Sequence, residues 1–120
     1  MKKLRILIVE DDVVARIALE SVLTDIASVA IIAKRSVAGA SETLGERFDL
    51  AFLDINVADG DTFDLASALT ARGVPLVFMG DKSLANLPIA WRGFAFISKP
   101  PRAAAVRQAL AQVEEVQLVA

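Results

Sequence analysis

Apolar positions along the chain fall into two alternating patterns, short runs and longer stretches with helical spacing. Residues 4–9, LRILIV, form an apolar run rich in β-branched side chains, which predicts a strand buried on both faces. Directly after it, VVARIALESVLTDIA brings back Val14, Ile17, Ala18, Val22 and Ile26 at helical spacing, so an amphipathic helix follows the strand. The alternation continues with strands predicted over 29–33, 50–55, 75–79 and 94–97 and helices over 38–47 and 63–72. Within DKSLANLPIAWRG, Pro88 and Gly93 permit at most a short fourth helix. Pro101 opens a last one, RAAAVRQALAQVEEV, where a missing N–H costs nothing.

Strands alternating with helices predict an α/β fold, a parallel sheet covered on both faces. No repeat, low-complexity segment or linker divides residues 1–120, so one domain is expected. Ligands of such sheets bind beyond the carboxyl ends of the strands, near the point where strand order reverses. The residues just after each strand therefore carry the functional question.

Those residues are acids and one lysine. Glu10, Asp11 and Asp12 follow the first strand, Asp54 ends the third, and Lys99 follows the fifth. Converging carboxylates raise one another's proton affinity unless a cation joins them. A hard divalent ion such as Mg2+ relieves that repulsion and keeps waters free for an incoming phosphate. Lys99 offers a point charge for a phosphoryl oxygen, and a carboxylate can accept a phosphoryl group as a mixed anhydride. Asp54, on the middle strand of the set, is the best candidate acceptor. Taken singly, each residue has a plainer reading: a strand-end turn for Asp54, a surface lysine for Lys99. Asp12 is read as the N-cap of the following helix.

Composition narrows the chemistry further. Among 120 residues, 55% are hydrophobic and only 6% aromatic, which predicts a core of Ala, Val, Leu and Ile. The formal net charge of -2 gives no broad attraction to nucleic acid or an anionic membrane, so neither is expected as a direct partner. There is no cysteine and no histidine, which leaves carboxylates, lysine and backbone to do any chemistry. The start, MKKLRILIVEDD, is too short and ends too acidic for a signal peptide, and no stretch nears the ~20 apolar residues of a membrane span. A soluble cytoplasmic protein is expected.

The acid pair in ILIVEDD, the aspartate in DLAFLDINV and the lysine in FISKPP, in that order over nearly the whole chain, resemble the receiver domain of two-component response regulators. The resemblance implies a flavodoxin-like, doubly wound, five-stranded parallel sheet. It implies Mg2+ held by Asp11 and Asp54, by Glu10 through water and by the backbone carbonyl of Asn56. It further implies that Asp54 is phosphorylated by a sensor histidine kinase or histidine phosphotransfer protein, that Lys99 grips the phosphoryl group, and that Phe96 is the aromatic whose rotamer reports phosphorylation. A phenylalanine at that place is equally a core residue.

Three features depart from the family's pattern. In PLVFMGDK, Gly80 stands where Thr or Ser is usual. The lost hydroxyl contact is worth roughly 1.5–3 kcal/mol, and its loss is expected to weaken switching more than chemistry. Ser83 is a nearby hydroxyl that could substitute, and Gly80 could simply make a turn. In DINVADGDTFDLA, Ala58 and Thr62 replace the usual proline and glycine. The weak fourth helix falls on a face that many receivers use for signalling. Together these suggest a divergent, stand-alone receiver, either a single-domain regulator or part of a longer protein.

Three function classes compete. The leading one is a phosphoacceptor that catalyses only its own phosphorylation and dephosphorylation and changes the surface offered to a downstream protein. The second is a receiver-like binding module that signals without phosphorylation. The third, an aspartyl-phosphate phosphohydrolase, needs an acid two positions after the nucleophile, where this chain has Asn56. Val116, Leu118 and Val119 leave an apolar end suited to a homodimer contact or a docked tail, a frayed end being the commoner case.

Overall fold

The structure, a computed structural model, describes residues 3–81 and 87–119, the stretch 114–119 by its backbone alone. Its strands in chain order are β1 (Leu4–Val9), β2 (Val29–Lys34), β3 (Leu50–Asp54), the two-residue β4 (Asn56–Val57) and β5 (Gly60–Asp61), β6 (Leu76–Gly80) and β7 (Ala95–Ser98). The helices are α1 (Val13–Ile26), α2 (Val37–Ser41), α3 (Phe63–Ala71) and α4 (Ala103–Val119). Five strands form one parallel sheet in the order β2-β1-β3-β6-β7, and β4 and β5 pair as a small antiparallel hairpin just beyond β3. This is the expected doubly wound, flavodoxin-like arrangement, with its switch point between β1 and β3.

Side chains alternate across the sheet, so each apolar run feeds two cores. Ile6, Ile8, Phe52, Val77 and Met79 pack with Leu19 and Leu23 of α1 and Val106 and Ala109 of α4. Leu7, Val9, Leu53 and Phe78 pack on the other face with Ala40 of α2 and Leu65, Ala66 and Leu69 of α3. Burial on both faces is why the strands read as runs and not as alternations.

The helices differ from the periodic reading in three ways. In α1 the sheet-facing residues are Leu19 and Leu23, flanked by Val22 and Ile26, whereas Val14 and Ile17 are 78% and 54% exposed. Val14 and Leu19 lie about 140° apart around a helix, so one face cannot bury both. The expected helix over 38–47 stops at Ser41, after which Thr43, Leu44 and Glu46 donate to carbonyls three residues back. Gly39, Ser41, Thr43 and Gly45 are weak helix formers, and the Thr43 hydroxyl donates to the Ala40 carbonyl at 2.6 Å, which favours the tighter turns. Finally, α4 begins at Ala103, two residues after Pro101.

Between β6 and β7 the described residues contain only one 3-10 turn, Ile89–Trp91, while Ser83 lies outside the described residues, as do the side chains of Val116, Leu118 and Val119. Aromatic packing covers the sheet there. The Trp91 ring stacks on Phe63 at 6.4 Å and meets Phe78 and Phe94 edge-on at 5.5 and 5.0 Å. Such pairs contribute roughly 0.5–1.5 kcal/mol each beyond their buried area, so few aromatics can do what a helix would otherwise do. No helix among the described residues is long and apolar enough to cross a membrane.

Leu23→Ala is expected to cost about 2–5 kcal/mol in urea denaturation, and Val14→Ala to stay within about 0.5 kcal/mol. Equal losses would contradict the assignment of the α1 core face.

Candidate functional site

The carboxyl ends of β1, β3, β6 and β7 deliver Glu10 and Asp11, Asp54, Gly80 and Lys99 to one cleft of about 540 Å³ at the switch point, with Glu10 buried beneath it. The register explains the convergence. Val9 lies beside Leu53, Asp54 beside Met79, and Gly80 beside Ser98, so residues one step beyond these pairs are neighbours. Asp12 stands apart as the cap of α1, its Oδ1 accepting from the N–H groups of Val14 at 2.9 Å and Ala15 at 3.3 Å.

Lys99 is the hub. Its Nζ donates to Glu10 Oε1 at 2.8 Å and to Asp54 Oδ2 at 2.9 Å. Glu10 is 1% exposed and Asp54 5%, so both carboxylates meet the ammonium largely out of water. Burial raises the Glu10 carboxyl from its usual 4.5 to about 7, with Asp54 adding to the rise and Lys99 opposing it. Burial also works against the Lys99 ammonium, but its bonds to Glu10 and Asp54 outweigh this and its pKa rises. Both partners of one ion pair thus shift upward. The reason is stoichiometric: one cation serves two carboxylates, and Glu10, the more buried, is left short of compensation.

Glu10, Asp11 and Asp54 can each place a carboxylate oxygen within 4.8 Å of the others. This all-oxygen set fits a hard divalent cation such as Mg2+. Asn56 N–H reaches toward Asp54 Oδ1 at 3.4 Å, so the strand β4 begins against the acceptor carboxylate. Gly80 lies in the cleft wall, but it is not an open turn. A Cβ there would meet Ile55 Cδ1 at 3.1 Å and the Phe96 ring at 3.5 Å, so side chains occupy the place a hydroxyl-bearing residue would take. Phe96 is half-buried and packs on the core cluster between the sheet and α3.

Two polar residues of the loop after Asp54 escaped the sequence reading. The Thr62 hydroxyl, fully buried, donates to the Asp54 carbonyl at 2.7 Å. The Asp59 carboxylate accepts from Val37 and Ala38 N–H at 2.8 and 3.0 Å, and these bonds hold its pKa below the usual value. A signal for Thr62 was present in the sequence. Asp61 and Thr62 are consecutive cap formers ahead of one helix, and one of them is spare.

A parallel α/β sheet with three acids and a lysine at its switch point defines the class of doubly wound receiver-like folds. Comparison with solved structures gives the family. SdrG from Sphingomonas melonis Fr1 is 30% identical with a TM-score of 0.80, the alignment covering 94% of this chain and 98% of that one. The BeF3-activated conformation of SdrG from Pseudomonas melonis Fr1 is 32% identical, with a TM-score of 0.76 and coverage of 92% and 97%. A CheY-like response regulator receiver domain from Methylobacillus flagellatus shares the fold at 19% identity and a TM-score of 0.80, with coverage of 93% and 99%. No protein-family model and no curated protein sequence matches. The chain belongs to the response regulator receiver family.

In metal-free protein the Glu10 carboxyl carbon is expected to titrate by NMR with a midpoint of about 7. The folded state then holds this proton more tightly than the unfolded chain, so Glu10's contribution to stability falls as pH rises from 4.5 to 7 and is flat above. Lys99 runs the other way at high pH, its contribution being full below 10.5 and lost as pH climbs beyond. Lys99→Met removes the group opposing the Glu10 rise and is expected to move that midpoint higher; an unchanged midpoint would contradict the bridge.

Proposed function

We propose that this receiver is a phosphoacceptor of a two-component phosphorelay, with Asp54 taking a phosphoryl group from a phosphohistidine on a sensor histidine kinase or histidine phosphotransfer protein. The observation that carries this reading is the Lys99 ammonium held at Asp54 within an acidic cleft. An Asp54 carboxylate oxygen attacks phosphorus, the P–N bond to the donor imidazole breaks, and the imidazole leaves with that electron pair. The product is a mixed anhydride. Lys99 stays beside Asp54 and meets the negative charge on the transferred oxygens. Asp11, Asp54 and the Asn56 carbonyl are the residues that would hold Mg2+, with Glu10 reaching it through water. When bound, Mg2+ would neutralise charge on the incoming phosphoryl group. The chain acts only on its own phosphorylation and dephosphorylation, in the cytoplasm, and the phosphorylated surface binds a downstream protein.

Incubation with acetyl phosphate and Mg2+ is expected to yield a labile acyl phosphate, and Asp54→Asn to abolish it. SdrG adopts a BeF3-activated conformation, which supports the same probe here. Beryllofluoride with Mg2+ should shift the amide resonances of Asp54, Asn56 and Lys99. Unshifted spectra, with no acyl phosphate, would sink the proposal.

A second reading, a binding module whose partner affinity ignores phosphorylation, is favoured by Gly80. No hydroxyl is available there, and Ile55 and Phe96 close over its Cα. Gly80→Thr is expected to destabilise the unphosphorylated protein by about 1–3 kcal/mol through overpacking against Ile55. Thermal denaturation would measure this, and partner affinity indifferent to Asp54→Asn would select the second reading.

A further inference from the structure

We propose that Thr62 is a positioning residue for the acidic site, its buried hydroxyl fixing the backbone that presents Asp54 and Asn56. This rests on the phosphoacceptor reading and extends it. Thr62 occupies the N-cap position of α3, yet its side chain makes no capping bond. That task passes to Asp61, whose Oδ1 accepts from Phe63 N–H at 3.1 Å. The Thr62 hydroxyl turns instead to the Asp54 carbonyl at 2.7 Å, and its N–H donates to the Ile55 carbonyl at 3.0 Å. A cap residue released from capping, fully buried and aimed at the main chain of the acceptor, has its place in the site and not in the helix.

The consequence is geometric. Ile55 and Thr62 close the rung just before the Asn56–Asp61 and Val57–Gly60 pairs of the hairpin, and the hydroxyl adds one contact beyond it, at residue 54. Without the hydroxyl, only the Thr62 N–H would tie the start of α3 to the end of β3 here. The Asp54 carbonyl would face a methyl group. The backbone running from Asp54 through Asn56 could then shift, and with it any metal ligand it offers. Catalytic geometry is sensitive at this scale, since misplacement by ~1 Å can cost 10²-fold in rate.

Thr62→Val keeps shape and removes the donor, whereas Thr62→Ser keeps the donor. Relative to wild type, Thr62→Val is expected to bind Mg2+ about tenfold more weakly and to slow phosphorylation by acetyl phosphate at saturating Mg2+ by about tenfold or more. Thr62→Ser should restore both to within about twofold. In metal-free protein the Asn56 amide resonance should move in Thr62→Val and return in Thr62→Ser. A purely structural role predicts lower thermal stability in Thr62→Val with unchanged Mg2+ affinity, rate and Asn56 resonance, and that result overturns the assignment. If wild type takes up no phosphoryl group, the functional reading falls alone, because Mg2+ affinity and the Asn56 resonance still decide the role of Thr62.

Discussion

The Lys99 ammonium joins the ends of three strands, and the site depends on it. Its bonds to Glu10 and Asp54 run from β7 across to β1 and β3, over 89 and 45 residues of sequence. Removing one partner from a buried ion pair costs about 3–5 kcal/mol, because the other charge is left stranded. Here two carboxylates would be stranded together. The constraint therefore works in both directions: the sheet brings the acids close, and the lysine makes that closeness tolerable.

One ammonium cannot compensate three acids. Asp11 makes a third carboxylate within reach of Glu10 and Asp54. In the metal-free protein the imbalance is relieved partly by protonation, seen in the raised Glu10 pKa, and partly by the Asp12 N–H, which donates to Glu10 Oε2 at 3.3 Å. A divalent cation would supply what the protein's own charges do not. The acids at the end of β1 thus divide by task, since Asp12 spends its carboxylate on the amides of α1 while Glu10 and Asp11 face the cleft.

Much of this was legible in the sequence, because apolar runs fix which residues end a buried strand and parallel pairing then fixes which strand ends meet. Glu10, Asp11, Asp54 and Lys99 could be placed together for that reason alone. What escaped depends on where a side chain points once the backbone is set. Thr62 reads as an ordinary cap until its hydroxyl is found on the Asp54 carbonyl. Gly80 reads as a missing hydroxyl or a turn until Ile55 and Phe96 are found filling its place. The early end of α2 and the sheet-facing stripe of α1 escaped for another reason: helical spacing locates apolar stripes but does not say which stripe meets the sheet.

Gly80 and Thr62 together change how the acceptor is connected to the rest of the molecule. At residue 80 the links to neighbouring strand ends are main-chain ones, with Ile55 N–H donating to Met79 and Lys99 N–H to Gly80. Around Thr62 the links include side chains at both ends of the hairpin: its own hydroxyl on Asp54, and Asp59 on the first amides of α2. The polar side-chain contacts leading away from Asp54 along its own chain therefore run toward α2, through a hairpin only two residues deep on each side. Contact continuity is not coupling energy, and a two-state element is required before one site can bias another. It does locate the short segment, residues 54–62, whose rearrangement would alter the acceptor and the start of α2 at the same time.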